Sequence, residues 1–175
     1  MPEDMEKQDK KARLQVIRTI VGNCPIENQE ELAVELEKAG LWAKTMSIVG
    51  MCKNAGKTTV LNWILQNTGR ERVLGLTSIG RDGEDKDLVT GTRKPGIYVE
   101  EGTLVATASD LILRHCDVTR EIIDTTGIST PMGDVVMLRA RSDGNIQIAG
   151  PSITTQLKSV SEIFFELGAD QSIID

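Results

Sequence analysis

Aromatic side chains are nearly absent from this chain. Phe, Trp and Tyr together make up 3% of its 175 residues, so Leu, Ile and Val must build the core. Histidine occurs once, as His115 beside Cys116, and no role is assigned to it. The three cysteines, Cys24, Cys52 and Cys116, are far apart and odd in number, which fits neither a disulfide framework nor a zinc site. No run approaches the roughly 18 apolar residues of a membrane span. Met1 to Arg13 is charged and has no apolar signal core. Basic residues are not in excess either: the net charge of −6 argues against a general affinity for nucleic acid or anionic membrane. Internal repeats and low-complexity tracts are also missing. The expected compartment is the cytoplasm, with no membrane partner.

What is present is an ordinary globular composition, 39% apolar and 26% charged. The length fits one domain, or one domain with a small appendage. The most informative stretch runs from Gly50 through Met51, Cys52, Lys53, Asn54, Ala55, Gly56, Lys57 and Thr58 to Thr59. An apolar run, Met46 to Val49, precedes it. Apolar residues at Val60, Leu61, Ile64 and Leu65 follow at helical spacing. This is the strand–loop–helix context of a phosphate-binding loop. Small residues let successive backbone N–H groups curl around a phosphate, and a helix N-terminus adds partial positive charge. Gly50, Lys53, Asn54, Ala55, Gly56, Lys57, Thr58 and Thr59 are therefore the expected nucleotide-binding residues. Lys57 would reach the β- and γ-phosphates, and Thr58 would offer its hydroxyl to Mg²⁺. The spacing departs from the usual G-x4-G-K-[ST], because five residues separate Gly50 from Gly56. The alternative is a strand-to-helix turn that merely contains a Gly and a Lys. Cys52 inside the loop could be made oxidisable by an electropositive backbone; the plainer reading is an inert small residue.

Residues 1–44 read as a separate helical hairpin. Leu14, Ile17, Ile20 and Val21 form one apolar stripe; Leu32, Leu36 and Ala39 mark a second helix, ended by Gly40. From residue 45 onward strands and helices alternate, which predicts an α/β domain with a mostly parallel sheet and helices on both faces. Val73 to Ile79 reads as a second core strand, followed by a polar, glycine-rich segment from Gly80 to Gly96. Ile97–Val99 and Leu104–Ala106 read as short strands joined through Glu100–Gly102, and Asp110–Leu113 as a short helix. Val135–Leu138 and Ile146–Ile148 read as a hairpin with Asp143-Gly144 turn chemistry. Ile153, Leu157, Val160, Phe164 and Leu167 give a well-marked amphipathic helix stopped by Gly168, before a buried strand, Ser172–Ile174, that ends in Asp175.

A phosphate loop needs a second acid to hold Mg²⁺, usually an Asp at the end of an apolar strand. Asp175 and Asp124 compete. Asp175 is preferred because a crossover helix precedes its strand. Asp124 opens Asp124-Thr125-Thr126-Gly127, which fits the D-x-x-G switch of GTPases, or simply a turn. No Asn-Lys-x-Asp motif is present, so ATP is preferred over GTP. The loop after Ile79 would emerge at the same sheet edge, where ligands of open α/β sheets bind. Its Asp82 and Glu84 could sense the γ-phosphate through Mg²⁺ or an attacking water; the alternative is a solvated charged loop.

Four segments carry a family resemblance: Val49–Thr59, Thr77–Glu84, Asp124–Gly127 and Ala149–Leu157. Together they resemble the nucleotide-binding subunit of the reactivating factor for lysine 5,6-aminomutase, an adenosylcobalamin-dependent enzyme. The resemblance covers residues 45–175 and shares the five-residue loop spacing. Lys53–Thr59 also resembles, more loosely, the GTP-binding accessory protein of molybdopterin-dinucleotide synthesis. The first resemblance implies a P-loop ATPase chaperone using ATP and Mg²⁺. With a second reactivase subunit, and so as an oligomer, it would eject damaged cobalamin from the aminomutase. It also implies that Gly56, Lys57, Thr58 and Thr59 bind nucleotide and that Asp175 is the Mg²⁺-coordinating acid.

Residues 13–40 weakly resemble the first two helices of an arginine-repressor type winged helix-turn-helix. Its third, DNA-reading helix has no counterpart, so base readout lacks an element for the major groove. A nucleotide-responsive DNA-binding regulator and an accessory subunit without turnover are the alternatives. Family members continue past the position of Asp175, and a sheet that stops at such a strand keeps an exposed edge. A truncated domain, or one that a second chain completes, is thus expected, with nucleotide binding but inefficient hydrolysis.

Overall fold

The computed structural model describes residues 44–50, 56–68, 72–80, 96–114 and 116–175. The expected hairpin within residues 1–44 lies outside these residues, save Lys44. So do Lys53, Asn54 and Ala55 of the phosphate loop, Asp82 and Glu84 of the charged loop, and Cys52 and His115.

The described elements are β1 (Thr45–Ser47), α1 (Lys57–Thr68), β2 (Leu74–Thr77), β3 (Ile97–Val99), β4 (Leu104–Ala108), α2 (Ser109–Arg114), β5 (Arg120–Thr130), β6 (Gly133–Ala140), β7 (Gly144–Ile146), α3 (Thr154–Glu166) and β8 (Gln171–Ile174). Six strands form one sheet in the order β1-β8-β2-β4-β6-β5, and β3 pairs with β7 in a separate two-stranded sheet. The fold is α/β, but the sheet is mixed. β8 pairs parallel with both β1 and β2, and β2 pairs parallel with β4. The longer ladders, β4 with β6 and β6 with β5, are antiparallel.

The departure from a mostly parallel sheet has a local cause. Only Pro131 and Met132 separate β5 from β6, and a two-residue connection can only reverse the chain. Thr130 closes that turn by donating its hydroxyl to the Gly133 carbonyl, 2.7 Å away. Gly133 takes a φ of 94°, a left-handed conformation that glycine adopts without a Cβ penalty.

The expected hairpin between Val135–Leu138 and Ile146–Ile148 does not form. Both edges of β6 are occupied, by β4 and β5, so β7 pairs with β3 instead. Asp143 serves a different purpose there: its carboxylate accepts the Glu101 N–H at 2.8 Å and braces the turn that leads into β4. Ile97–Val99 and Leu104–Ala106 are strands, as their composition predicts, but they belong to different sheets.

Side chains alternate across the main sheet, and each face carries a helix. Leu74 and Leu76 of β2, Val105 of β4 and Ile173 of β8 pack with Leu61, Ile64 and Leu65 of α1. Leu104, Ala106, Val135 and Met137 face the other way, against Val160 and Phe164 of α3. α1 is also tied to β3: Asn62 donates to the Gly96 carbonyl and accepts the Tyr98 N–H, both at 3.0 Å. On the α3 side, a Cβ at Gly75 would lie 2.4 Å from the Phe164 ring. Glycine in β2 is therefore what lets α3 seat so close to the sheet. Full burial of a Phe side chain stabilises by about 1.5–3 kcal/mol. α3 ends where Gly168, at φ 91°, donates to the Phe165 carbonyl while Ala169 donates to that of Phe164, the paired bonds of a Schellman cap. Among the described residues no helix is long and apolar enough to cross a membrane.

Candidate functional site

The carboxyl ends of β1, β8 and β2 lie side by side, because β8 is hydrogen-bonded between the other two. The ladders continue past the strands. Ile48 N–H donates to the Ile174 carbonyl at 2.8 Å, Asp175 N–H to Thr77 at 3.0 Å, and Ile79 N–H to Asp175 at 2.9 Å. Asp175 is thus fixed by its backbone at this edge and is buried, at 6% exposure. In open α/β sheets, ligands bind outside the carboxyl ends of the strands.

The loop after β1 re-enters the described residues at Gly56, whose φ is 79°. Its carbonyl accepts the Val60 N–H at 3.0 Å, the first turn of α1. A left-handed residue at this junction costs about 1 kcal/mol or more for any side chain but glycine. α1 therefore starts on Lys57, Thr58 and Thr59, with no acidic residue in its own first turn, where the helix carries a partial positive charge. Lys57 and Thr58 are half-buried and Thr59 is exposed. Gly50 is half-buried at the start of the loop.

A second knot binds this edge to α3. Ser78, 1% exposed, accepts the Gly150 N–H at 3.1 Å and shares its proton between the carbonyls of Ile148, at 3.2 Å, and Gly80, at 3.3 Å. Gly80 N–H donates to the Pro151 carbonyl at 3.0 Å. A Cβ on Gly150 would fall 2.1 Å from the Ser78 carbonyl oxygen and 2.5 Å from Thr77 Oγ1, so only glycine fits. The segments 77–80 and 149–152, 72 residues apart at their central bond, are thereby one structural unit. Sequence patterning shows Ser78 only as a small residue after a strand; its partners come from a distant stretch. Asn62, which braces α1 against β3, was equally invisible as a single polar residue on a helix.

Asp124 is not brought to this edge. It lies exposed within β5, the strand at the far side of the sheet from β1. Its carboxylate accepts the neighbouring Thr125 N–H at 2.7 Å, and Gly127 occupies a left-handed position where the ladder shifts register. Asp124-Thr125-Thr126-Gly127 is an irregular stretch of strand, so the switch alternative is set aside.

A cavity of about 340 Å³ opens beside these strand ends. Thr45, Ser47 and Val49 line it from β1 and its extension, Leu157, Lys158 and Ser161 from α3, and Ile79, Ile174 and Asp175 from the ends of β2 and β8. Among the described residues no group of three or more His, Cys, Asp or Glu could hold a metal ion. Mg²⁺ in a nucleotide site asks for less, one or two protein ligands with phosphate oxygens and water completing the shell.

Set against known protein families, curated proteins and solved structures, the chain finds no match in any of the three.

Proposed function

We propose that this chain binds MgATP at the shared edge of β1, β8 and β2, in the manner of a P-loop NTPase. One observation carries the reading: β8 runs parallel between β1 and β2. That arrangement brings a buried acid, Asp175, to the same edge as the loop that opens α1. In this reading the backbone of Gly50, Lys53, Asn54, Ala55 and Gly56 wraps the phosphates. Lys57 neutralises the β- and γ-phosphate charge, and Thr59 adds a hydroxyl at the helix start. Thr58 and Asp175 would hold Mg²⁺, which would offset the phosphate charge. Asp82 and Glu84 act on the γ-phosphate from the loop rooted at Gly80.

The activity proposed for this site is that of an ATP-driven chaperone which, with a second subunit, reactivates an adenosylcobalamin-dependent aminomutase by releasing damaged cobalamin. Its support is the likeness of Val49–Thr59, Thr77–Glu84 and Ala149–Leu157 to that group. Two of those segments, remote in sequence, meet through Ser78, Gly80 and Gly150.

Calorimetric titration tests the nucleotide site. Lys57→Ala should weaken MgATP binding about a hundredfold, roughly 2.7 kcal/mol, while melting within a few degrees of wild type. Equal affinities in the two proteins would remove the phosphate-loop assignment. Cobalamin release from the inactivated aminomutase, dependent on ATP, tests the chaperone activity separately.

A further inference from the structure

We infer that residues 30–39, the acidic amphipathic stretch ahead of β1, lie along the groove between β1 and α3 and cover that face of the sheet. Parallel sheets are ordinarily covered on both faces. β1 pairs parallel with β8, and its Met46 and the following Ile48 pack with Leu61, Ile64 and Leu65 of α1. Among the described residues the other face is bare: Thr45, Ser47 and Val49 are exposed. α3 stops short of it. Val160 and Phe164 pack over β4 and β6, and Ser161 reaches only β8, through a 2.9 Å bond to Ser172. The gap that remains is the cavity beside the strand ends, walled by Leu157 and Lys158 of α3 and by Ile174. Val49 and Ile79 stand at its carboxyl-end rim, 64% and 57% exposed, and clustered apolar side chains rarely stay uncovered. Ile48 and Asp175 border the gap too, but each is one step out of phase with Ser47 and Ile174. Strand alternation turns them toward the α1 face, so a cover on the α3 side leaves Asp175 to the nucleotide site.

Connection length selects the occupant. The apolar stripe of Leu32, Leu36 and Ala39 ends at Gly40, and residues 41–43 lead to Lys44, whose carbonyl accepts the Ser172 N–H at 2.7 Å. Helix-to-strand links of this length return the helix onto its own strand, antiparallel to it. One face of β1 is taken by α1, which leaves the groove. From Ala39 to Leu32 a helix rises about 10 Å, and Thr45 to Val49 spans about 13 Å. Ala39, Leu36 and Leu32 then fall in turn beside Thr45, Ser47 and the Val49–Ile79 rim. Charge agrees. Glu35 borders the stripe, three residues after Leu32 and four before Ala39. The groove offers Lys158, whose side chain is 78% exposed beside Glu162, and at its foot Lys44, with Nζ 5.9 Å from the centre of the Phe165 ring.

The test uses the full chain with Cys24, Cys52 and Cys116 changed to Ser. Ser47→Cys should react with a bulky maleimide about tenfold more slowly than Thr125→Cys, which is exposed in β5, because labelling requires the cover to open. Adding Leu32→Glu and Leu36→Glu should bring the two rates within about twofold; if that pair prevents folding, Leu36→Glu alone takes its place. Leu36→Cys with Ser47→Cys should be joined within one chain by a short bismaleimide. Equal rates at the two strand positions, protection that survives the Glu substitutions, or no cross-link would each overturn the inference. A cross-link between two chains overturns it as well, since the occupant is then a second copy. Neither assay contains nucleotide, so their failure leaves the phosphate-loop reading untouched.

Discussion

The sheet has two halves built on different terms. Across the sheet from β1 to β4 the strands are parallel and three to five residues long, and all but β1 are largely buried. From β4 to β5 they are antiparallel, and β5 runs for eleven residues with most positions at least partly exposed. Parallel strands need crossovers, so their carboxyl ends gather several separate loops at one edge. There segments remote in sequence are tied together, at Ser78, Gly80, Gly150 and Asp175. The antiparallel half closes on itself with a two-residue turn and local bonds, Ser129 to Asp134 and the Arg141–Glu121 ion pair. Outside those bonds Arg139 reaches the Leu167 carbonyl at the end of α3, at 3.3 Å. Chemistry is expected where remote segments are forced together, not where the ladder is longest.

Three substitution tests sharpen that contrast. Phe164→Ala removes the ring that fills the space over Gly75 and should cost about 4 kcal/mol, read as a shifted denaturation midpoint. Paired glycine substitutions come next. Gly150→Ala drives a methyl into the Ser78 carbonyl and should cost about 3 kcal/mol. Gly127→Ala in β5 meets nothing within 4 Å and should cost only about 1 kcal/mol, for its left-handed backbone. Similar losses at the two sites would erase the distinction between the halves.

The smallest effect on the fold but the sharpest on ligand concerns two acids. Asp175→Asn should lower the Mg²⁺-dependent part of ATP affinity about tenfold; Asp124→Asn should leave it unchanged. Calorimetry with and without Mg²⁺ reads both, and a loss at Asp124 would return that residue to the site.

Elements with a strong apolar signal were legible without a structure. α1 and α3 follow the three- and four-residue spacing of their Leu, Ile, Val and Phe residues, and Gly168 ends α3 where expected. β2 and β8 are short apolar runs, and β8 does lie parallel beside β1. β5 was missed because its exposure follows no clean two-residue alternation, interrupted as it is by shifts in register. Asp143-Gly144 misled for another reason: a turn-forming pair marks a change of direction but not which strand the chain joins next.

The sequence by itself determined an α/β composition: a Gly- and Lys-bearing loop between an apolar run and a helix, and an acid at the end of a short apolar strand. Those features are local, set by side-chain periodicity and by glycine's conformational freedom. Only the tertiary structure decided which strands are neighbours. Pairing depends on which backbone edges remain unfilled, and that is a property of the whole assembled sheet. Hence Asp175 lies beside the end of β1, Ser78 meets Gly150, and Asp124 is carried to the opposite side.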